Sequence, residues 1–430
     1  MKKFKVRNIG LLAMLAGLAA VQAETFSIAI LPDTQNEIGQ TPDNGVFAGR
    51  MEWIVKNKTP LNLKFVLSGG DVVNWDTPDH FMYKRARAGA DLLTNAGIPF
   101  AFCLGNHDTK AVCGINDFGV SPGSACPGGD TKALVRNTLL FNEYLPTTRF
   151  KNLVATYEPN KIDNAYHTFS AAGLNFLVIN LELWPRQGPI DWAKIVVRDH
   201  PNHNVIVVTH MNIEGDGTTG QDNGGYGATS PQHLFDDLLS KYPNVRMAVN
   251  GHTGTHAFKA IEGLNKHLIY QFNTTYHATT TNPTRILEIN TDAKTIKSSV
   301  FVPSIDKFAD DGSTFTISNV EWTPAGATST SFSVAKPVLS TDIQTAGAMR
   351  GIRQGVSLRY TLAKSAGVSL DIYDAKHSHV ANLVNESRES GSHETYWNGT
   401  TARGEKAARG VYFAVLQVGS QKFSDKLMLQ

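Results

Sequence analysis

Polar residues that can bind metals follow a series of short apolar runs in this sequence. Nine of them follow five runs: Asp33, Gln35, Asp71, Asn106, His107, Asp108, His210, His252 and His256. Carboxylate, amide and imidazole groups together suit divalent zinc, manganese or iron better than they suit a thiolate-bound metal. A single Asp or Asn after a strand is a common turn former. Their repetition at five strand ends therefore predicts a metal site.

Alternating strands and helices would position these residues between Thr25 and about Asn250. Apolar runs typical of buried strands occur at 25–31, 64–68, 99–104, 174–180, 204–209 and 245–250. Amphipathic segments between them predict helices at 45–58, 79–96, 131–143, 189–199 and 230–242. This alternation indicates an α/β layered fold, in which the ends of the strands bring polar groups together at one edge.

The pattern changes to strands after residue 250. Strands are predicted at 266–273, 285–290 and 295–302, and they could belong to the same layered domain. Segment 305–343 is rich in Ser, Thr, Ala, Gly and Asp and is interpreted as a linker or edge segment. Residues 344–430 predict a separate all-β domain. The layered domain would then occupy residues 24–304.

Residues 1–23 have the pattern of a secretory signal peptide. Basic residues precede an apolar run at 9–21, and Val21 and Ala23 are small residues at the expected cleavage site. The run is short for a membrane span, although an uncleaved anchor helix is the alternative. We therefore expect a secreted or periplasmic protein with no transmembrane segment after signal removal.

Composition and cysteine content limit the remaining possibilities. The 430 residues are 41% hydrophobic and 18% charged, and neither value is typical of a disordered chain. The net charge of +2 and the absence of a long Lys/Arg run provide no nucleic-acid-binding signature. After export, Cys113 and Cys126 could form a disulfide that closes the Gly- and Pro-rich loop between them. Cys103 lies in an apolar run and is interpreted as a buried thiol.

The polar blocks resemble those of the calcineurin-like metallophosphoesterase family. The family blocks are D-x-H, G-D, G-N-H-[DE], a lone His after a strand, and G-H-x-H. The matching residues are Asp33-Thr34-Gln35, Gly70-Asp71, Gly105-Asn106-His107-Asp108, His210 and Gly251-His252. The resemblance covers about residues 25–303. It implies a layered β-sandwich flanked by helices and hydrolysis of a phosphomonoester or phosphodiester in a phosphorylated small molecule or polymer.

The resemblance also implies a centre of two divalent metal ions, with manganese, zinc or iron as candidates. The ligands it implies in this chain are Asp33, Gln35, Asp71, Asn106, His210, His252 and His256. Asp71 would bridge the two ions. Asn106, His210 and His252 would complete the shell of one ion. Asp33 would hold the other.

The resemblance further implies the catalytic roles. His107 would protonate the leaving oxygen, and Asp108 would orient its ring. The two metals would hold the phosphoryl group and activate a water molecule. Asn74 stands where purple acid phosphatases carry a Tyr, so a tyrosinate–iron centre is not expected.

Two departures from the family pattern affect the ion that Asp33 would hold. Gln35 stands where the family has His, and a neutral amide oxygen is a weaker zinc ligand than imidazole. Gly254 stands where the last block has its second His, and His256 follows two residues later. A looped backbone could still bring His256 to the metal, although metal sites demand a fixed geometry. His277 either lines the cleft or lies on the surface.

The C-terminal domain resembles the immunoglobulin-like domain of the flagellar hook-capping protein. The resemblance covers 358–430 and includes Tyr396-Trp397-Asn398-Gly399 and Gly410-Val411-Tyr412-Phe413. It implies a β-sandwich that serves attachment to the cell surface, sorting or stabilisation, or acts as a spacer. Two other functions stay open. The departures at Gln35 and Gly254 motivate one of them, a metal-containing, non-catalytic binding protein with a degenerate site. The other is a surface or adhesion protein acting through the C-terminal domain.

Two long loops that follow predicted strands are expected to shape substrate specificity. They span 109–130 and 214–230. Long loops at the ends of strands often carry substrate contacts.

Overall fold

The structure is a computed structural model that describes residues 25–114, 122–325, 340–342, 356–362, 365–389, 391–419 and 421–429. The predicted signal peptide lies outside these residues, as do 326–339 and 343 of the predicted linker or edge segment. Among the described residues, none of the helices is long and apolar enough to cross a membrane.

Fourteen strands are described up to residue 317. They are β1 (Thr25–Leu31), β2 (Leu63–Ser68), β3 (Phe100–Phe102), β4 (Leu153–Thr156), β5 (Ala165–Ala171), β6 (Leu174–Leu181), β7 (His203–Thr209), β8 (Val245–Asn250), β9 (His256–Glu262), β10 (Leu268–Thr274), β11 (Thr284–Asn290), β12 (Thr295–Val302), β13 (Lys307–Phe308) and β14 (Phe315–Ile317). The helices are α1 (Gln35–Ile38), α2 (Val46–Asn57), α3 (Phe81–Asn95), α4 (Thr131–Leu134), α5 (Leu139–Tyr144), α6 (Gln187–Asp199) and α7 (Pro231–Leu234), which a π turn (Phe235–Leu239) continues.

These strands form two sheets that pack face to face. The first has the order β13-β12-β11-β1-β2-β3, with β14 on β12, and the second has the order β4-β5-β6-β7-β8-β10-β9. Strands β1, β2 and β3 are parallel, and so are β6, β7, β8 and β10. The layered α/β fold predicted from the sequence is confirmed.

Both faces of the central strands are covered, which explains their continuous apolar sequences. In β1, Phe26, Ile28 and Ile30 belong to the core between the sheets. Ala29 and Leu31 belong to a second core, beneath α2 and α3. On the other side of the domain, α6 and the π turn cover the outer face of the second sheet. The chain therefore forms helix, sheet, sheet and helix layers.

The helix predicted at 131–143 is two short helices, α4 and α5. Thr138 lies between them, and its hydroxyl donates to the buried carboxylate of Asp163 at 2.6 Å. Arg136 donates instead to the carbonyls of Leu183 and Trp184. These tertiary contacts outweigh the helix propensity of the segment. In contrast, the helix predicted at 230–242 begins with a side-chain cap, because Ser230 Oγ accepts from the backbone N–H of His233.

Residues 305–325 extend the layered domain. Strands β13 and β14 both pair with β12, and Val320 is buried in the core between the sheets. Trp322 packs edge to face against Phe176, with the ring centroids 5.7 Å apart. The early part of the segment predicted as a linker or edge is thus an edge of the first sheet. The division of the chain into domains stays a prediction.

The C-terminal region is all β, as predicted. Its strands are β15 (Ser340–Asp342), β16 (Val356–Leu362), β17 (Ala366–Asp374), β18 (His379–Arg388), β19 (Gly391–Trp397), β20 (Gly410–Val418) and β21 (Gln421–Leu429). They form a sheet β15-β16-β19 and a sheet β18-β17-β20-β21. Trp397 is buried in their core, and its indole N–H donates to the Thr400 carbonyl.

The cysteines occupy the positions expected of them. A disulfide joins Cys113 to Cys126 and closes the loop between them. Cys103 is a buried free thiol.

Candidate metal centre

The loops that follow the strands of both sheets meet at one edge. After β1 and β2, Thr34 Oγ1 donates to the Val72 carbonyl at 2.8 Å. The backbone N–H of His252, after β8, donates to Asp33 Oδ2 at 2.8 Å and so joins the second sheet to the first. Parallel strands bring their carboxyl ends to the same edge, and the polar residues therefore converge there.

Asp71 lies at the centre of this edge. Its Oδ1 accepts from the backbone N–H of His107 at 3.0 Å, and its Oδ2 lies 3.1 Å from His210 Nε2. Asp71 belongs to two groups of potential ligands, one with His210 and His252 and one with Asp33 and His277. Within each group, one ligand atom per residue lies within 4.8 Å of the others. Two ions bound here would share Asp71.

The histidines of one group are oriented by their surroundings. His210 is completely buried, and its Nδ1 donates to the Gly69 carbonyl at 2.8 Å, which directs Nε2 towards Asp71. His252 Nδ1 lies 3.2 Å from the same Nε2. Burial lowers the pKa of His252 to about 3. Burial also lowers the pKa of His210, but the charges of Asp71 and Asp33 outweigh it and raise that pKa to about 10.

Asp33 anchors the other group. It is almost completely buried, and its Oδ2 lies 3.2 Å from His277 Nε2. Burial is the main cause that raises the pKa of its carboxyl, because the charged form is deprived of water. A carboxylate in this position requires a positive partner.

Three buried oxygens test whether the site fits metal ions. Asp33 Oδ1, Gln35 Oε1 and Asn106 Oδ1 accept no hydrogen bond from any described residue. A buried polar atom left without a partner costs about 1–3 kcal/mol. A Cβ on Gly105 would collide with Asp71 Oδ1, so only glycine leaves room for that carboxylate. Oxygens that accept no hydrogen bond, placed beside imidazole nitrogens, form a set of metal ligands that fits divalent cations.

The His107 ring has a contact of its own, apart from the backbone hydrogen bond of this residue to Asp71. Its ring Nδ1 lies 2.7 Å from the carbonyl oxygen of Asn74. A carbonyl oxygen only accepts, so Nδ1 carries a proton. Nε2 is therefore the ring nitrogen that can exchange a proton with another molecule.

Asp108 does not hold the ring of His107, contrary to the expectation from the family. Its carboxylate accepts from three backbone N–H groups, those of Gly105 at 2.8 Å, Val73 at 2.9 Å and Val72 at 3.2 Å. These tight loops leave N–H groups that need a buried acceptor, and Asp108 supplies it. Burial and the charge of Asp71 raise the pKa of Asp108 to about 7. Asp108 thus positions the loops that carry Asp71 and His107.

His256 also differs from the expectation, because the structure does not bring it to Asp33. It begins β9 and pairs in register with Thr274. Its ring stacks on Tyr276, with centroids 5.8 Å apart, and its Nε2 lies 3.0 Å from the Asp311 carbonyl oxygen. His277 is the histidine beside Asp33 instead.

An aromatic pair that the sequence did not single out, Trp184 and Tyr226, adjoins His252 through Trp184. The ring of Trp184 packs edge to face with His252 at 5.3 Å and with Tyr226 at 5.1 Å. Tyr226 belongs to the long loop 214–230. Trp184 lies just after β6, and its position beyond a buried strand was the signal that could have singled it out.

Comparison with known proteins shows which families the two parts of the chain resemble. The sequence matches the calcineurin-like phosphoesterase family over residues 26–255 and the FlgD Ig-like domain over residues 347–421. The uncharacterized protein YvnB of Bacillus subtilis (strain 168) is 25% identical over 234 residues, which are 53% of this chain and 15% of that protein. The chain therefore spans a small part of the length of this curated relative.

Two solved structures share local similarity. FlgD from P. aeruginosa is 20% identical over 17% of this chain and 58% of its own, with a TM-score of 0.15. Dimeric latent PorU from Porphyromonas gingivalis is 15% identical over 31% of this chain and 12% of its own, with a TM-score of 0.17. The family match covers more than half of the chain, and the chain therefore belongs to the calcineurin-like phosphoesterases, a family of metal-dependent phosphoester hydrolases.

Proposed function

We propose that this chain hydrolyses a phosphomonoester or phosphodiester with two divalent metal ions, drawn from manganese, zinc and iron, and with His107 as general acid. The observation that carries this proposal is the position of Asp71 in two ligand groups, with the backbone N–H of His107 hydrogen-bonded to its carboxylate. Phosphoryl transfer depends on charge neutralisation and positioning more than on covalent chemistry. A shared carboxylate between two ligand groups suits that requirement.

The residues of the chain divide the work. When bound, the two ions would neutralise the phosphoryl oxygens and lower the pKa of a water nucleophile. Asp71 and Asp33 would supply the anionic ligands. His107 would give a proton from Nε2 to the leaving oxygen, while the Asn74 carbonyl holds Nδ1 and keeps the ring in place.

Tyr226 would line the substrate side of the site, with the buried Trp184 behind it. Both belong to an apolar cluster that also contains Ala111, Leu183 and Met211. Because Trp184 contacts His252, this aromatic wall adjoins one of the two ligand groups. An apolar surface there favours an organic group attached to the phosphoryl over inorganic phosphates.

Export and attachment are further parts of the proposal. The basic and apolar residues at 1–23 and the disulfide Cys113–Cys126 support a secreted or periplasmic location, because disulfides persist in oxidising compartments. The FlgD Ig-like domain is proposed to attach the enzyme to the cell surface.

The experiment compares the exported protein with its His107→Ala variant. After loading with manganese or zinc, the hydrolysis of an aryl phosphate monoester, an aryl diester and an alkyl diester is measured. We expect kcat to fall by roughly 10²–10⁴ for the alkyl diester, whose leaving oxygen needs a proton, and to fall less for aryl esters. Bound metal should not change. His379→Ala, in the C-terminal sheet, is the matched control.

A wild-type protein that holds metal but hydrolyses none of these esters would contradict the proposal and favour the non-catalytic binding protein. An equal loss of activity in His379→Ala would show that the effect of His107→Ala is not specific to the site.

A further inference from the structure

The turn after β10 has an unusual backbone. Tyr276 and His277 are consecutive non-glycine residues with φ values of 61° and 45°, in the left-handed region. Each such residue costs on the order of 1–3 kcal/mol and persists only where its surroundings hold it. Strain of this kind concentrates at functional sites, so the turn requires an explanation.

Hydrogen bonds hold the turn on both sides. The N–H groups of Thr275 and Tyr276 both donate to the Thr255 carbonyl, at 2.9 and 3.0 Å, and the N–H of His277 donates to the Thr275 carbonyl. Asn36 Nδ2 donates to the carbonyl of His277 at 3.1 Å. Asn36 lies in α1, and the N–H of Asp33 donates to the Thr275 carbonyl at 3.1 Å, so the turn is tied directly to the segment that carries Asp33.

This backbone brings the His277 ring to two carboxylates. Its Nε2 lies 3.2 Å from Asp33 Oδ2, and the same imidazole forms a ligand group with Asp33 and Asp71. The His277 side chain is 35% exposed, whereas that of Asp33 is fully buried. His277 therefore occupies the open side of the Asp33 group.

A simple ion pair does not account for these contacts. It would engage Asp33 Oδ2 alone and leave Asp33 Oδ1 and Gln35 Oε1 buried without a donor. A cation held by His277, Asp33 and Asp71 would give the buried Asp33 carboxylate a further positive partner. Mixed imidazole and carboxylate ligands are those that zinc, manganese and iron accept.

We propose that His277 is the nitrogen ligand of the ion that Asp33 and Asp71 hold, in the place that the family pattern assigns to the second His of its last block. The inference deepens the proposed function and rests on it, since it specifies one shell of that metal centre. The strained turn is the structural means by which a residue outside the family blocks reaches the ion.

His256 acts in this arrangement as a positioning residue. Its ring stacks on Tyr276, and the hydroxyl of Tyr276 donates to Asp311 Oδ2 at 2.8 Å. His256 Nε2 contacts the backbone carbonyl of the same Asp311. His256 thus supports the turn from behind and needs its ring shape for the stacking contact.

The test compares His277→Gly with His256→Phe in the full exported chain. Glycine adopts positive φ without strain, so His277→Gly keeps the turn and removes only the imidazole. Phenylalanine keeps the stacking ring at 256 but removes both nitrogens. Manganese per chain is measured by mass spectrometry after gel filtration, and magnetic coupling between two Mn²⁺ ions is measured by electron paramagnetic resonance.

We expect two coupled ions in the wild type and in His256→Phe, and one uncoupled ion in His277→Gly. Free imidazole should restore the second ion and the coupling to His277→Gly, because it can occupy the space that the side chain leaves. Thermal unfolding without metal should be close to that of the wild type in both variants, which shows that the variants fold.

Other outcomes separate this inference from the proposed hydrolysis. Two coupled ions in His277→Gly would overturn the inference and leave the proposed hydrolysis intact. Fewer than two ions in the wild type would overturn it as well. Loss of one ion from His277→Gly, in a protein that hydrolyses no phosphoester, would support the ligand assignment and contradict the proposed function.

Discussion

The two halves of the proposed metal centre are built differently. The second half, formed by Asn106, His210 and His252, follows the ends of β3, β7 and β8, and its His210 is completely buried. The first half, formed by Asp33, Gln35 and His277, combines one carboxylate with a neutral amide and a partly exposed imidazole. Asp71 joins the halves. If both ions bind as proposed, we expect the fold to fix one shell and the affinity of the other shell to depend on a loop.

We expect the largest effect from a substitution of Asp71, the residue that the two halves share. Asp71→Asn takes away the anionic oxygen common to both ligand groups, so we expect both ions to bind weakly. Losing several kcal/mol of charge stabilisation in the transition state corresponds to a decrease of roughly 10³-fold or more in kcat/KM. Metal content and hydrolysis of an aryl diester measure this.

Asp216→Asn, on the exposed loop after β7, is the matched control and should retain full metal content. Retention of two ions by Asp71→Asn would show that the halves do not depend on this residue. Retention of one ion would sharpen the comparison, because the half that keeps its ion without Asp71 is the better preorganised one.

The second half and most of the fold could be predicted from the sequence because the signals are local. Apolar runs buried on both faces define β1, β7 and β8 within one residue, and His210 and His252 follow such runs directly. The strand predicted at 295–302 has the same bounds as β12. These ligand assignments stay predictions until metal is measured.

The first half could not be predicted in the same way. The approach of His277 depends on the parallel pairing of β10 with β8 and on a backbone conformation that its sequence disfavours. The spacing after His252 instead predicted His256 as a ligand. The pairing of His256 with Thr274 keeps it away from Asp33. Strand β9 was also missed, because Lys259 and Glu262 interrupt its apolar pattern. Nonlocal pairing and strain leave no local signature.

A smaller effect on metal affinity is expected from a substitution that gives the first half a second imidazole. Gln35→His replaces a neutral amide oxygen by imidazole, the ligand that the family has there. We expect the weaker of two zinc-binding steps to tighten on the order of tenfold, or about 1.4 kcal/mol. Competition with a chromophoric chelator resolves the two steps.

Gln40→His, two residues beyond the end of α1, is the control for a new histidine nearby and should leave both steps unchanged. An unchanged weaker step in Gln35→His would indicate that Gln35 does not face the ion. Tightening of the stronger step would place Gln35 with the second half.

The smallest expected effect concerns the aromatic wall beside the second half. Tyr226→Ala removes the ring that packs on Trp184 and leaves every ligand in place. An aromatic contact of about 1 kcal/mol corresponds to roughly a fivefold rise in KM for aryl esters, with kcat and metal content unchanged. Tyr226→Phe keeps the ring and should behave like the wild type. If Tyr226→Ala instead lowers kcat and releases one ion, the wall supports His252 through Trp184 rather than substrate, and the second half owes its rigidity to loop 214–230 as well as to its strands.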